Sequence, residues 1–217
     1  MGDISGAEPE AVIIGAGPAG LWAAFQLGLH GVGSILIDSA GQPGGQCTAL
    51  YADKPVYDLP GFPAIDAGRI GENLAGQIAR FRPDYRLSER VTAIAPTDLG
   101  FAIALQAGPV LHVRHAIIAT GLGPLGVSGR QPALELPDGV ETDGGHFKVT
   151  PGDFQTGQRG LYAIGDAATY PGKLCLLVSA FHEAALMAFA IRTDRAGGRR
   201  PVVGYSSTAS ALKAKFT

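Results

Sequence analysis

The chain has 217 residues, 46% of them hydrophobic and 17% charged, with a formal net charge of −2. That composition is ordinary for a folded protein of one large or two small domains, and it argues against nucleic acid as a main partner, since arginine is concentrated only within residues 192–200. Its two cysteines, Cys47 and Cys175, form no CxxC, so neither a zinc site nor a dithiol redox pair is written here, and a reducing compartment is the simpler reading.

Residues 1–10 lack the basic and apolar regions of a signal peptide and read as a loose tail, so a cytoplasmic location is expected. Residues 12–14 are an apolar run of the kind found in a buried parallel strand, and Gly15, Gly17 and Gly20 follow in GxGxxG spacing. Each glycine has its own reason: a tight turn, close approach of backbone N–H groups to a pyrophosphate, and close packing of helix on strand. Pro18 suits the first helical turn, and the N-terminus of that helix would face the phosphates. A second strand, 34–37, ends in Asp38, whose carboxylate can accept ribose hydroxyls and argues against a 2′-phosphate. A second match, Gly121, Gly123 and Gly126, is followed by two prolines and no amphipathic period, so it is read as a turn.

Residues 39–65 are too rich in glycine and proline for a helix and read as a long functional loop. Residues 66–81 form an amphipathic helix with Ile70, Leu74, Ile78 and Phe81 on one face. Three short alternating runs, 91–95, 101–105 and 110–113, predict an antiparallel meander, and 116–119 and 161–164 predict buried strands. The apolar stretch 174–191 is expected as a helix buried all round inside the core, because His182 and Glu183 and its length disfavour a membrane span. His112 and His115 would face opposite sides of a sheet and bind no metal, while His182 and Glu183 are expected in buried hydrogen bonds or a dimer contact.

The pieces GAGPAG, GGQCTALY, YDLPGFP, ATG (119–121), YAIGDAATYPGK and FHEAALMA stand in an order that resembles the thioredoxin-reductase-like ferredoxin-NADP reductases of bacteria. The resemblance covers nearly the whole chain. It implies an α/β fold, a Rossmann-like FAD-binding domain with a central parallel sheet and an antiparallel β-meander, and FAD as cofactor. It also implies a homodimer, with ferredoxin, flavodoxin or another redox protein as partner, and neither nucleic acid nor membrane. The family's inserted NADPH domain has no counterpart between Gly121 and Gly160. The expected organisation is therefore a tail at 1–10, one FAD domain at 11–204 with 122–150 as a short connection in place of the NADPH domain, and a tail at 205–217 covering the flavin.

Carried over position by position, the first glycine turn with Pro18 and Ala19 holds the diphosphate, and Asp38 with Ser39 the adenosine ribose. Gly45, Gln46, Leu50 and Tyr51 lie at the flavin, with the Tyr51 ring stacked on it. Val91 meets adenine through its backbone, Thr120 and Gly121 give a short, flexible segment beside the cofactor, and Leu125 ends the outgoing connection. Gly165 and Asp166 serve the ribityl and pyrophosphate region. In the tail, Thr208 is the nearest polar contact and Tyr205 a ring cover. No residue is assigned a catalytic role, because the chemistry belongs to FAD. The helix after Leu174 would direct its N-terminus at the flavin edge that gains charge on reduction, while Cys47 reads as a small packed hydrophobe. Two functions follow: an electron-transferring oxidoreductase without its own NADPH site, or a non-catalytic FAD-binding redox sensor or accessory subunit.

Overall fold

The computed structural model describes residues 9–123, 134–204 and 209–216. The chain begins with β1 (Ala11–Ile14), α1 (Pro18–Leu29) and β2 (Ser34–Asp38). β1 and the centre of β2 are covered on both faces, as central parallel strands require. The expected loop 39–65 contains a short helix, α2 (Gly45–Ala49), and a hairpin of β3 (Pro55–Val56) and β4 (Ile65–Asp66). Glycines concealed α2: Gly44 caps it at φ +117° and Gly45 starts it at φ +58°, positions dictated by contact with the first glycine turn rather than by helix propensity.

α3 (Ala67–Ile78) buries Ile70, Leu74 and Ile78, and a 3₁₀ turn, Ala79–Phe81, carries Phe81 against the same core. β5 (Asp84–Leu87) was not legible, because its DYRL sequence is that of a sheet edge with few apolar side chains. β6 (Val91–Thr97), β7 (Gly100–Leu105) and β8 (Leu111–Val113) form the expected antiparallel meander, and β9 (His115–Ile118) returns to the core. Glu135 then lies beside β6, its N–H donating to the Thr92 carbonyl and its own carbonyl accepting the Ile94 N–H, both at 2.9 Å. β10 (Thr142–Asp143), β11 (His146–Lys148), β12 (Leu161–Ala163), β13 (Ala168–Thr169), α4 (Leu177–Arg195) and α5 (Ser210–Lys213) complete the chain.

The central sheet is parallel throughout, in the order β12-β9-β1-β2-β5. Its register sets the site: Ile14 is level with Ile37 and Ile118, and Ala163 is level with Ile118. The residues that follow these four therefore emerge at one edge of the sheet. The chain leaves β1 toward β2 on one side and later places β9 on the other, and such a switch point opens a crevice at the carboxyl ends of the strands.

One expectation changes. α4 begins at Leu177 rather than Leu174 and is buried on one face only, through Ala180, Glu183, Ala184, Met187, Ala188 and Ile191. Leu174, Leu176 and Val178 are exposed, so the apolar sequence reflects two surfaces rather than complete burial. The described part of the C-terminal tail packs on its own chain at the far end of α1: Lys215 Nζ donates to the Gly28 carbonyl at 2.7 Å, and the Phe216 ring lies 6.3 Å from that of Phe25. At 1.5 Å per residue, Gly28 is about 15 Å along α1 from Pro18, so this segment does not cover the glycine turn of its own chain.

His30, the C-cap of α1, is held near Arg192, Lys215 and the Phe189 ring. Burial, and then the Arg192 and Lys215 charges, lower its pKa from 6.5 to about 4. The unfolded chain thus takes up this proton first, and stability falls as pH drops from 6.5 toward 4. Allowing for solvent screening, His30→Gln should shrink the loss of unfolding free energy between neutral and acid pH by about 1–2 kcal/mol. Urea titrations of both proteins at each pH measure this, and parallel losses would refute it. His115, lowered in the same sense by burial, leaves the variant some acid sensitivity.

Candidate functional site

The glycine turn between β1 and α1 is shaped from within. A Cβ at Gly15 would overlap the Ala119 carbonyl at the end of β9, and one at Gly20 would overlap the Gly15 carbonyl. Gly17 differs: its φ is an ordinary −74°, and the nearest atom to a Cβ there is Gly45 Cα at 3.7 Å. The fold does not need a glycine at 17. What a side chain would obstruct is the open space before the first turn of α1, where no side chain caps the helix and no acid lies in the first turn. Pro18 at N1, with Ala19 and Gly20 behind it, leaves this end to an external anion.

Asp38 closes the turn from the β2 side. Its Oδ2 accepts the Ala16 N–H at 2.6 Å and its Oδ1 the Ala40 N–H at 2.8 Å. Each oxygen keeps a second lone pair for a hydroxyl, so Asp38 both orders the glycine turn and stays available to a ribose beside the exposed Ser39. The Glu89 N–H donates to the Asp38 carbonyl at 3.0 Å, which brings the start of β6 and Val91 to the same end of the crevice.

The α2 segment forms the opposite wall. The Gly44 N–H donates to the Ala16 carbonyl at 2.8 Å, and Gly45 lies so close that a Cβ on it would stand 2.7 Å from Gly17 Cα. Tyr51 Oη donates to Gln46 Oε1 at 3.2 Å, its ring is 41% exposed, and Leu50 beside it points out. Gln46 Nε2 in turn lies 3.6 Å from where a Cβ on Gly121 would be. Thr120 Oγ1 is buried here with no hydrogen-bond partner among the described residues, a hydroxyl able both to donate and to accept.

Gly165 and Asp166 follow β12 in a 3₁₀ turn, Gly165–Ala167. A Cβ on Gly165 would stand 2.9 Å from Ala19 Cβ and 3.8 Å from Ala180 Cβ, so the first turns of α1 and α4 converge on it. The N-terminus of α4 is also uncapped by any side chain. The Asp166 charge reaches α2: burial first, and then Asp166, raise the Cys47 thiol above its usual range, and burial, Cys47 and Asp166 raise Tyr51. A thiol held protonated is a poor nucleophile, which accords with reading Cys47 as a packing residue.

The structure thus gathers Gly15 to Gly20, Asp38, Ser39, Gly45, Gln46, Leu50, Tyr51, Thr120, Gly121, Gly165 and Asp166 at one sheet edge, with Val91 beyond Asp38. Leu125, Tyr205 and Thr208 lie outside the described residues, as does Gly126 of the second glycine match, whose described part is a turn. Sequence reading missed Gly44 and the residues that fasten the 165–167 turn, Lys173, Tyr170 and His146. One signal was present for that group: Glu183 falls in phase with Ala180, Ala184 and Met187, and an acid on a buried stripe requires a donor set. Among the described residues no group of His, Cys, Asp and Glu could hold a metal ion, and no helix is long and apolar enough to cross a membrane.

A family profile for pyridine nucleotide-disulphide oxidoreductases matches residues 9–131. A ferredoxin–NADP reductase of Paracidovorax citrulli is 48% identical over 117 residues, 54% of this chain and 33% of that protein. One of Acidiphilium cryptum is 39% identical over 168 residues, 77% of this chain and 49% of that protein. The chain therefore spans half or less of the length of these curated relatives. Among solved structures, a thioredoxin reductase of T. acidophilum superposes with a TM-score of 0.70 at 17% identity, covering 86% of this chain and 98% of that one. A ferredoxin-flavin thioredoxin reductase of Clostridium acetobutylicum gives 0.69 at 16%, covering 88% and 98%. At that identity the likeness is one of fold, and it matches the expected α/β architecture.

The glycines yield a separable prediction. Gly17→Ala should change stability by no more than about 0.5 kcal/mol, the range of substitutions that touch nothing, yet weaken ADP binding in calorimetry. Gly20→Ala should unfold the chain. Equal stability losses would show that Gly17 too is structural.

Proposed function

The chain belongs to the pyridine nucleotide-disulphide oxidoreductase family, and from that premise we propose that it is an FAD-binding flavoprotein that transfers electrons to or from a partner. The observation that carries the reading is Gly17, a glycine the fold does not require, standing before an uncapped helix N-terminus with Asp38 beside it. The α1 N–H groups bind the diphosphate and Asp38 the adenosine ribose, with Val91 at adenine. Asp166 lies on the other side of the glycine turn, toward the ribityl chain. Tyr51, Gln46 and the Thr120 hydroxyl, which has no partner among the described residues, border the flavin ring. Bound FAD supplies one- and two-electron transfer, which the side chains do not. The chain's own contribution is electrostatic: the α4 N-terminus favours negative charge on the adjacent ligand edge, which stabilises a reduced ring.

The source of electrons is a redox protein such as a ferredoxin or flavodoxin, or a small reductant, and 11–204 acts as one FAD domain with 122–150 in place of an NADPH domain. The names of the curated relatives and the short span between Gly121 and Gly160 support this. A second reading is a non-catalytic FAD-binding sensor or accessory subunit, with which a Cys47 thiol kept protonated by burial and Asp166 is in keeping. We also propose a cytoplasmic homodimer, whose contact face includes the exposed Tyr57, Leu174, Leu176 and Val178.

Purified protein should be yellow or take up FAD stoichiometrically; a colourless protein that cannot be reconstituted would sink the flavoprotein reading. Rapid bleaching of its absorbance by reduced ferredoxin, flavodoxin or NADPH supports the oxidoreductase, whereas inertness to all three supports the accessory role. Light scattering at micromolar concentration should give twice the chain mass, and a monomer would refute the dimer.

A further inference from the structure

The turn that presents Asp166 is fixed by side chains from three elements. Glu183 Oε2, from α4, accepts the Gly165 N–H at 2.6 Å. Lys173 Nζ donates to the Gly165 carbonyl at 2.9 Å and pairs with Glu183 Oε1. His146, from β11, bonds the Asp166 carbonyl through Nδ1 at 2.7 Å; a carbonyl only accepts, so Nδ1 carries the hydrogen. Tyr170 Oη adds a bond to Glu183 at 2.8 Å. The Glu183 side chain is wholly buried and that of Lys173 only 8% exposed.

Burying a full ion pair is an expensive way to join a loop to a helix, since apolar side chains of similar volume hold such contacts at least as well. The pair accomplishes something apolar groups cannot: it addresses both the N–H and the carbonyl of one glycine, and so fixes the orientation of the turn. Gly165 leaves little latitude, wedged between Ala19 and Ala180. The acid that the turn carries acts electrostatically on Cys47 and Tyr51 across the crevice.

Sheet order assigns a ligand half to this device. Asp38 ends β2 and Asp166 follows β12, with β9 and β1 between them, so at about 4.8 Å per strand they stand roughly 14 Å apart on either side of the glycine turn. We infer that Glu183, Lys173 and His146 are positioning residues that set Asp166 for the half of the ligand beyond the diphosphate, opposite the adenosine. This rests on the FAD-binding reading and extends it to a discrimination: disturbing the turn loosens FAD while leaving ADP, which ends at the diphosphate, in place.

The test compares FAD and ADP on the full chain and three variants: Glu183→Gln, the paired neutral Glu183→Gln/Lys173→Met, and His146→Ala. Loss of a hydrogen bond that orients a charged group should raise the FAD dissociation constant about tenfold or more in each, with ADP within about twofold. The bound flavin's visible circular dichroism should change with it. ADP binding doubles as the check of folding, and His146→Ala carries the test if the buried-pair variants do not fold. Parallel weakening of FAD and ADP, or unchanged FAD affinity in the folded variants, overturns the inference. A wild-type chain that binds ADP but not FAD would instead defeat the flavoprotein reading itself.

Discussion

No side chain fits at Gly15 or Gly20, and the site depends on that steric fact. The end of β9 lies so close to the end of β1 that Gly15 must be bare, and α1 rises so close to the turn that Gly20 must be bare as well. With these contacts made, the first turn of α1 is held over the carboxyl edge of a sheet whose register brings Ile14, Ile37, Ile118 and Ala163 to one level. Everything that follows those strands then meets at the helix N-terminus. The loop 39–65 is drawn in by the same geometry, since Gly44 bonds Ala16 and Gly45 packs on Gly17.

Electrostatics is layered on this packing. Two helix N-termini converge at Gly165 without capping side chains, which leaves a region of positive potential in a polar crevice. The acids nearby are spaced so as not to cancel it. Asp38 is engaged by two backbone N–H groups, and Glu183 is neutralised by Lys173 behind the turn. Asp166 remains as the charge facing α2, and its effect on Cys47 is to keep a thiol protonated rather than to activate it.

The parts legible in the sequence were those in which one local rule decides the outcome. The β1–turn–α1–β2 unit carries strand hydrophobicity, glycine spacing and a terminal acid together, and α3 and the meander carry clean periods of 3.6 and 2. β5 was illegible because an edge strand needs few apolar side chains, and α2 because contact with Gly17 outweighs the helix propensity of glycine. α4 misled for the opposite reason: its apolar residues serve both the core and an exposed face, so apolarity alone overstated burial. Within the site, Asp38 could be named from its spacing to the glycine turn, and Gln46, Tyr51 and Asp166 from the family resemblance. Their supports could not, because Lys173 and His146 reach the 165–167 turn from a loop and a strand whose approach is purely tertiary.

The two ends of α1 are treated differently, and the contrast bears on what the helix is for. Neither end is complemented by its own sequence, with no acid in the first turn and no base in the last. At the C-terminal end the rest of the chain supplies what is missing: Lys215 donates to the Gly28 carbonyl at 2.7 Å, and Arg195 approaches the His30 and Gly31 carbonyls at 3.3 and 3.4 Å. Burial first, and then the Arg192 and Lys215 charges, keep His30 neutral well below its usual pKa. At the N-terminal end no side chain caps the helix, and the Asp38 carboxylate is engaged instead by the Ala16 and Ala40 N–H groups. A helix stabilised only for folding would be capped at both ends. One that is satisfied at its C-terminus by cations from two distant segments, and carries no side-chain cap at its N-terminus, accords with the proposed seat of a diphosphate there.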